Sequence, residues 1–129
     1  MNIIVDTNIL LAVVLDEPEK DYIIQLTSET EATAPEILPY EIGNALSAMV
    51  KRKQITNDEA VMAQKIANNI PVKLIGVDIQ QALKLAIDFN IYAYDAYFLQ
   101  CAKSLNYPLI TLDKRMKQVA TELNIEVIK

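Results

Sequence analysis

At 129 residues the chain has the length of one domain built on one core, and a 52% hydrophobic content is ample to pack it. There is no histidine and only one cysteine, Cys101, which excludes Ser-His-Asp and Cys-His nucleophilic sites, histidine-ligated catalytic zinc, structural zinc and internal disulfides. The net charge of −5 has the wrong sign for a protein that binds nucleic acid by bulk charge alone.

In chain order, Asn2 to Val5 is a short run rich in β-branched residues that ends at Asp6, read as a strand. Thr7 to Leu15 is helical and almost wholly apolar, hence buried. Asp16-Glu17-Pro18 breaks the chain, and Pro18 opens a second helix with Tyr22, Ile23 and Leu26 on its inner face. Ala32 to Ala34 is a weak strand. Pro35 begins a longer helix that ends near Lys53, with Pro39 in its first turn, where a missing N–H does little harm. Thr56 and Glu59 form a capping box for the next helix, which Pro71 stops. Val72 to Ile75 is a strand, and Asp78 caps a helix that runs to about Phe89. Tyr94 or Asp95 starts another helix, ending near Asn106. Leu109 to Leu112 reads as a strand, Asp113 to Leu123 as a helix, and Ile125 to Ile128 as a last strand.

Strands alternating with helices, some in pairs, predict a mostly parallel sheet covered on both faces. No repeat, linker or low-complexity stretch divides the chain, so residues 1–129 are expected to form one domain. No apolar run is long enough to span a bilayer. The opening Met-Asn-Ile-Ile-Val-Asp lacks the charged and apolar regions of a signal peptide, so a cytoplasmic location is expected. The two glycines, Gly43 and Gly76, cannot build a phosphate-binding loop or a dinucleotide fingerprint. Any catalysis therefore falls to Asp, Glu, Lys and Tyr, and carboxylates suit hard cations such as Mg²⁺ or Mn²⁺.

Four acids stand out. Asp6 and Asp113 each follow a predicted strand, on the rim where parallel sheets hold their sites. Helix capping accounts for either aspartate alone; two on the same rim point to a site. Asp95 shares its helix face with Phe98, Leu99 and Ala102, and a carboxylate in core register is costly unless paired, capped or bound to metal. Glu41 borders the core face of Leu38, Ile42, Ala45 and Met49, on a ridge that runs through Ala45 and Ala48 to Arg52. It also fits an ordinary boundary glutamate. Glu36 turns outward, and Asp16, Glu17, Asp21, Asp58 and Glu59 read as turn or capping acids. Crowded carboxylates repel and raise one another's pKa. Divalent cations relieve that, and two can hold the attacking water and leaving oxygen of a phosphoryl displacement. The basic runs Lys51-Arg52-Lys53 and Lys114-Arg115-Met116-Lys117, each taken alone, read as solvated helix ends. Arg52, about three turns along the Glu41 ridge, and Lys114 and Arg115, immediately after Asp113, are the candidates to hold the phosphates that flank a cleaved one.

The whole chain resembles PIN-domain nucleases, most closely VapC-type toxins of prokaryotic toxin–antitoxin pairs. The resemblance rests on Val5-Asp6-Thr7-Asn8, Pro35 with Glu41-Ile42-Gly43-Asn44-Ala45-Leu46, Tyr94-Asp95-Ala96 and Thr111-Leu112-Asp113, in that order. It implies a three-layer α/β/α sandwich around a mostly parallel, about five-stranded sheet. It also implies Mg²⁺- or Mn²⁺-dependent endoribonuclease activity, a homodimer, and an antitoxin partner whose C-terminal segment enters the cleft. Asp6, Glu41, Asp95 and Asp113 match the family's acidic quartet as catalytic and metal-binding residues, with Asn8 and Thr111 at polar positions that support it. Two other readings fit part of the pattern: a catalytically silent PIN fold that binds protein, and an Asp-based phosphatase or receiver domain. The latter needs a second acid beside the first strand's aspartate, where this chain has Thr7-Asn8.

Overall fold

The computed structural model describes residues 1–129. The buried run Ile3-Ile4-Val5 forms β1 (Asn2–Val5), and Asp6 turns the chain directly into α1 (Thr7–Val14). Then follow α2 (Lys20–Thr27), β2 (Glu31–Pro35), α3 (Leu38–Lys51), α4 (Asn57–Asn69) and β3 (Val72–Ile75). The chain ends with α5 (Ile79–Phe89), α6 (Ala93–Leu105), β4 (Leu109–Ile110) and α7 (Lys114–Glu122).

The strands form one parallel sheet in the order β3-β2-β1-β4. From β1 the chain steps outward through β2 to β3, then returns past β1 to lay down β4 on its other side. The direction of winding thus reverses between β1 and β4, and the crevice there is where open parallel sheets take ligands. Helix α1 packs against α2, α3 and α4, whereas α6 packs against α5, α7 and the strands β1 and β2. The two groups are the outer layers of an α/β/α sandwich, as one hand of crossover requires when the winding direction reverses. A cluster of 28 buried residues lies between the layers, with Ile3, Ile4, Phe98, Leu99 and Leu109 among the fully buried. Cys101 is buried within it, and burial pushes its thiol up to about 11.

Several boundaries differ from the sequence reading. The sheet has four strands rather than about five. The segment Ile125 to Ile128 runs beside β4 through only a Leu109–Val127 bridge. Leu109 donates to the Glu126 carbonyl (2.8 Å) and Ile128 to the Leu109 carbonyl (2.9 Å). The pairing stops there because β4 itself is two residues long: Thr111 leaves the ladder and turns its hydroxyl to Asp6. Pro35 ends β2 instead of opening α3, since it pairs with Ile75 and the Glu36 N–H bonds the Ile75 carbonyl (2.9 Å). Pro39 does lie in the first turn of α3. In α2, Ile23 is buried but Tyr22 is exposed.

Candidate active site

Four helix N-termini carry the four acids. Asp6 is the N-cap of α1, Glu41 lies in the first turn of α3, Asp95 in the first turn of α6, and Asp113 is the N-cap of α7. Helix N-termini present positive dipole ends, which partly offset the cost of holding carboxylates together. Asp6, Glu41 and Asp95 line one cleft of ≈ 340 Å³ together with Thr7, Asn8, Asn44 and Tyr94. No lysine or arginine lines it.

Asp6 is the most constrained of the four, at 5% exposure. The Thr7 N–H donates to its Oδ1 (2.8 Å) and the Thr111 hydroxyl donates to its Oδ2 (2.7 Å). The same Thr111 hydroxyl accepts from the Asp113 N–H (3.1 Å), so one side chain ties the ends of β1 and β4 together. Burial pushes the Asp6 carboxyl up to about 6 despite these two bonds, and the charges of Asp95 and Asp113 push the same way. Burial likewise raises Glu41 to about 7, helped by the charges of Asp6 and Asp95. Asp95 is raised by burial first and by Asp113 second. Three carboxyls are thus held where ionisation is costly, each beside another acid.

The capping alternative resolves differently for each acid. Asp113 accepts from the Met116 N–H (3.0 Å) through Oδ1, an ordinary cap, and it does not line the cleft. Its charge nonetheless reaches both Asp6 and Asp95. Asp6 caps α1 and also takes the bond from Thr111. Asp95 is no cap: α6 begins at Ala93, and its N-cap is Tyr92. Glu41 Oε1 is buried with no hydrogen-bond partner, as is the Thr7 hydroxyl beside the cleft. The Thr7 hydroxyl favours the charged form of Glu41 but makes no bond of good geometry with it.

These orphaned oxygens bear on whether the residues suit a divalent cation. An unpartnered carboxylate oxygen facing other carboxylates is the donor chemistry that hard cations take. The side chains do not form a closed coordination shell: no three of them are placed to grip one ion directly. Mg²⁺ keeps several of its waters when bound by carboxylates, so an open arrangement of this kind fits it.

The remaining predicted residues lie as follows. Asn8 is exposed on the cleft wall, and Thr111 is buried beneath Asp6. Arg52, at the C-terminal end of α3, and Lys114, at the start of α7, are exposed and do not line the cleft. Arg115 also lies outside it, and its guanidinium donates to the Phe89 carbonyl (2.6 Å) and to Gln118 Oε1 (2.9 Å). The sequence reading gave no role to Thr7, Tyr40, Asn44 or Tyr94, which all line the cleft. Their signal was proximity: each lies one or three residues from an acid of the quartet.

The α/β/α sandwich is a fold that known proteins share. The sequence matches the PIN domain family over residues 3–122, and the chain belongs to that family. In structure it is similar to PAE2754 from Pyrobaculum aerophilum, with a TM-score of 0.70 and 21% identity over 96% of this chain and 88% of that one. It is also similar to VapBC2 from Rickettsia felis bound to a DNA fragment from their promoter. That match has a TM-score of 0.69 and 15% identity, over 98% of this chain and 97% of that chain. At these identities the likeness is one of fold. No curated protein matches the sequence.

Proposed function

We propose that the protein is a cytoplasmic, Mg²⁺- or Mn²⁺-dependent endoribonuclease and the toxin of a toxin–antitoxin pair. The observation that carries this reading is the meeting of Asp6, Glu41 and Asp95 on a cleft that no cationic side chain lines. Membership of the PIN family supports nuclease chemistry. The VapC-like order of motifs and the VapBC2 likeness in fold support the toxin assignment and an antitoxin partner.

In this reading Asp6, Glu41, Asp95 and Asp113 hold the metal, directly or through water. A bound divalent ion would supply charge for the scissile phosphate and lower the pKa of the attacking water. Asp6 is fixed in orientation by Thr111 and by the α1 N-terminus. Glu41 offers an unpartnered Oε1 to the ion or to its water. Asn8 supplies a polar contact on the cleft wall. Arg52, Lys114 and Arg115 hold the flanking phosphates, Arg115 with a guanidinium that already donates to the Phe89 carbonyl.

The test is cleavage of end-labelled RNA by the purified protein with Mg²⁺ or Mn²⁺ and with a chelator. Metal-dependent internal cleavage is expected; none under any metal would favour a silent binding module. A homodimer is expected, and sedimentation as a monomer at micromolar concentration would remove that part.

A further inference from the structure

Beside the acid cleft lies a second hollow, of ≈ 390 Å³, lined by Pro35, Glu36, Ile37, Tyr40, Val77 and Tyr97 among others. The two share Ile37 and Tyr40 as lining, so they lie side by side. Tyr40 is 75% exposed. The Tyr97 ring meets the Tyr94 ring edge-to-face, with centroids 6.1 Å apart, and Tyr94 is itself a wall of the acid cleft. The hollow contains no cation, and its one charged side chain is the carboxylate of Glu36. That chemistry repels a phosphate and accepts a flat, uncharged group with apolar faces and amine donors at its edge.

We infer that this hollow is a nucleobase subsite, in which Tyr40 and Tyr97 receive the base next to the scissile phosphate. The inference rests on the proposed ribonuclease reading. An RNA strand alternates charged backbone with flat bases, and a chain of net charge −5 gains little from the backbone alone. Stacking on tyrosine needs no charge. Glu36 at the mouth can accept from an exocyclic amine, as carboxylates do from cytosine N4.

The experiment uses the full chain and a single-stranded RNA with a mapped cleavage site. A second substrate carries an abasic residue in place of the base next to the scissile bond. On the intact RNA, Tyr97→Ala and Tyr40→Ala are expected to raise KM about 5- to 100-fold, while Tyr97→Phe and Tyr40→Phe stay near wild type. On the abasic RNA the wild type is expected to lose as much as the alanine variants do, and the variants to lose nothing more. The Phe variants keep the packing, so a folding defect in the alanine variants does not decide the outcome. If the alanine variants match wild type on intact RNA, or remain worse than wild type by the same factor on the abasic RNA, the subsite is overturned and the nuclease reading stands. If wild type cleaves no RNA, both fall.

Discussion

At the N-termini of α1 and α4 alike a carboxylate accepts a backbone N–H, yet the two carboxyls shift in opposite directions. At α4, Thr56 and Glu59 bond each other's backbone N–H groups at 3.1 and 2.9 Å, in full solvent, and the bond from the Thr56 backbone lowers the Glu59 pKa. At α1, Asp6 caps through the Thr7 N–H and gains a second bond from Thr111, yet its pKa is raised to about 6 by burial and by neighbouring acids. Capping explains why an acid stands at either place. It does not explain why one of them is buried beside Asp95 and Asp113. The difference marks the cleft as a place where folding free energy is given up, and such places are where function is expected.

The largest expected effect comes from removing that conflict. Asn caps helices about as well as Asp, so Asp6→Asn should keep the α1 cap while deleting a crowded charge. Cleavage of labelled RNA should be abolished, with the melting temperature of the metal-free protein unchanged or higher. Activity close to wild type would remove Asp6 from catalysis, and a large loss of stability would reduce it to a cap.

The contrast also has a sign in pH. A carboxyl whose folded pKa is raised favours folding while it is protonated, and loses that advantage as pH rises. For Asp6 the window runs from its ordinary 3.8 to about 6, and for Glu41 from 4.5 to about 7. Metal-free protein should therefore lose stability between about pH 4 and 7, on the order of 3 kcal/mol from Asp6 at 1.36 kcal/mol per pKa unit. Glu41, half-exposed, adds less because solvent screens it. Urea unfolding across this range checks the slope. Asp6→Asn should flatten it, and stability rising with pH would refute the account.

Smaller effects lie outside the cleft. Arg52→Glu and Lys114→Glu should raise the KM for RNA and reduce its salt slope by about one each, with metal affinity unchanged or improved. An unaltered salt series would show that RNA takes another path. At the contrasting site, Thr56→Ala should cost about 1 kcal/mol in urea unfolding and leave cleavage untouched.

How far all this was legible in the sequence follows from the range of each interaction. Local chemistry was readable: the Thr56–Glu59 box and the Asp78 cap appear as expected. Asp6 and Asp113 could be placed because strand ends in a parallel sheet share one rim, whereas Glu41 and Asp95 stood out only by their position on or beside a helix's core face. Strand lengths were harder to read. Leu109 to Leu112 looks like a four-residue strand, but Thr111 serves Asp6, 105 residues away. The orphaned Glu41 oxygen and the Tyr40–Tyr97 hollow depend on how α3, α6 and the β3–α5 segment are packed, which no helical wheel reports. Arg115 looked free in sequence because its partner, the Phe89 carbonyl, belongs to the end of another helix.

Above neutral pH the cleft acids are ionised although burial and crowding favour their protonated forms, a charge that the proposed cation would offset. Thermal melts at pH 7.5, of wild type and Asp6→Asn, each in chelator and in millimolar Mn²⁺, test it most directly. A ligand that binds only the folded state raises stability by mass action, and 1 kcal/mol moves the melt of a chain this size by about 4 °C. Wild type should melt at or below Asp6→Asn in chelator and rise by several degrees in Mn²⁺, with Asp6→Asn responding little. A wild type that melts above Asp6→Asn in chelator and ignores Mn²⁺ would contradict the claim.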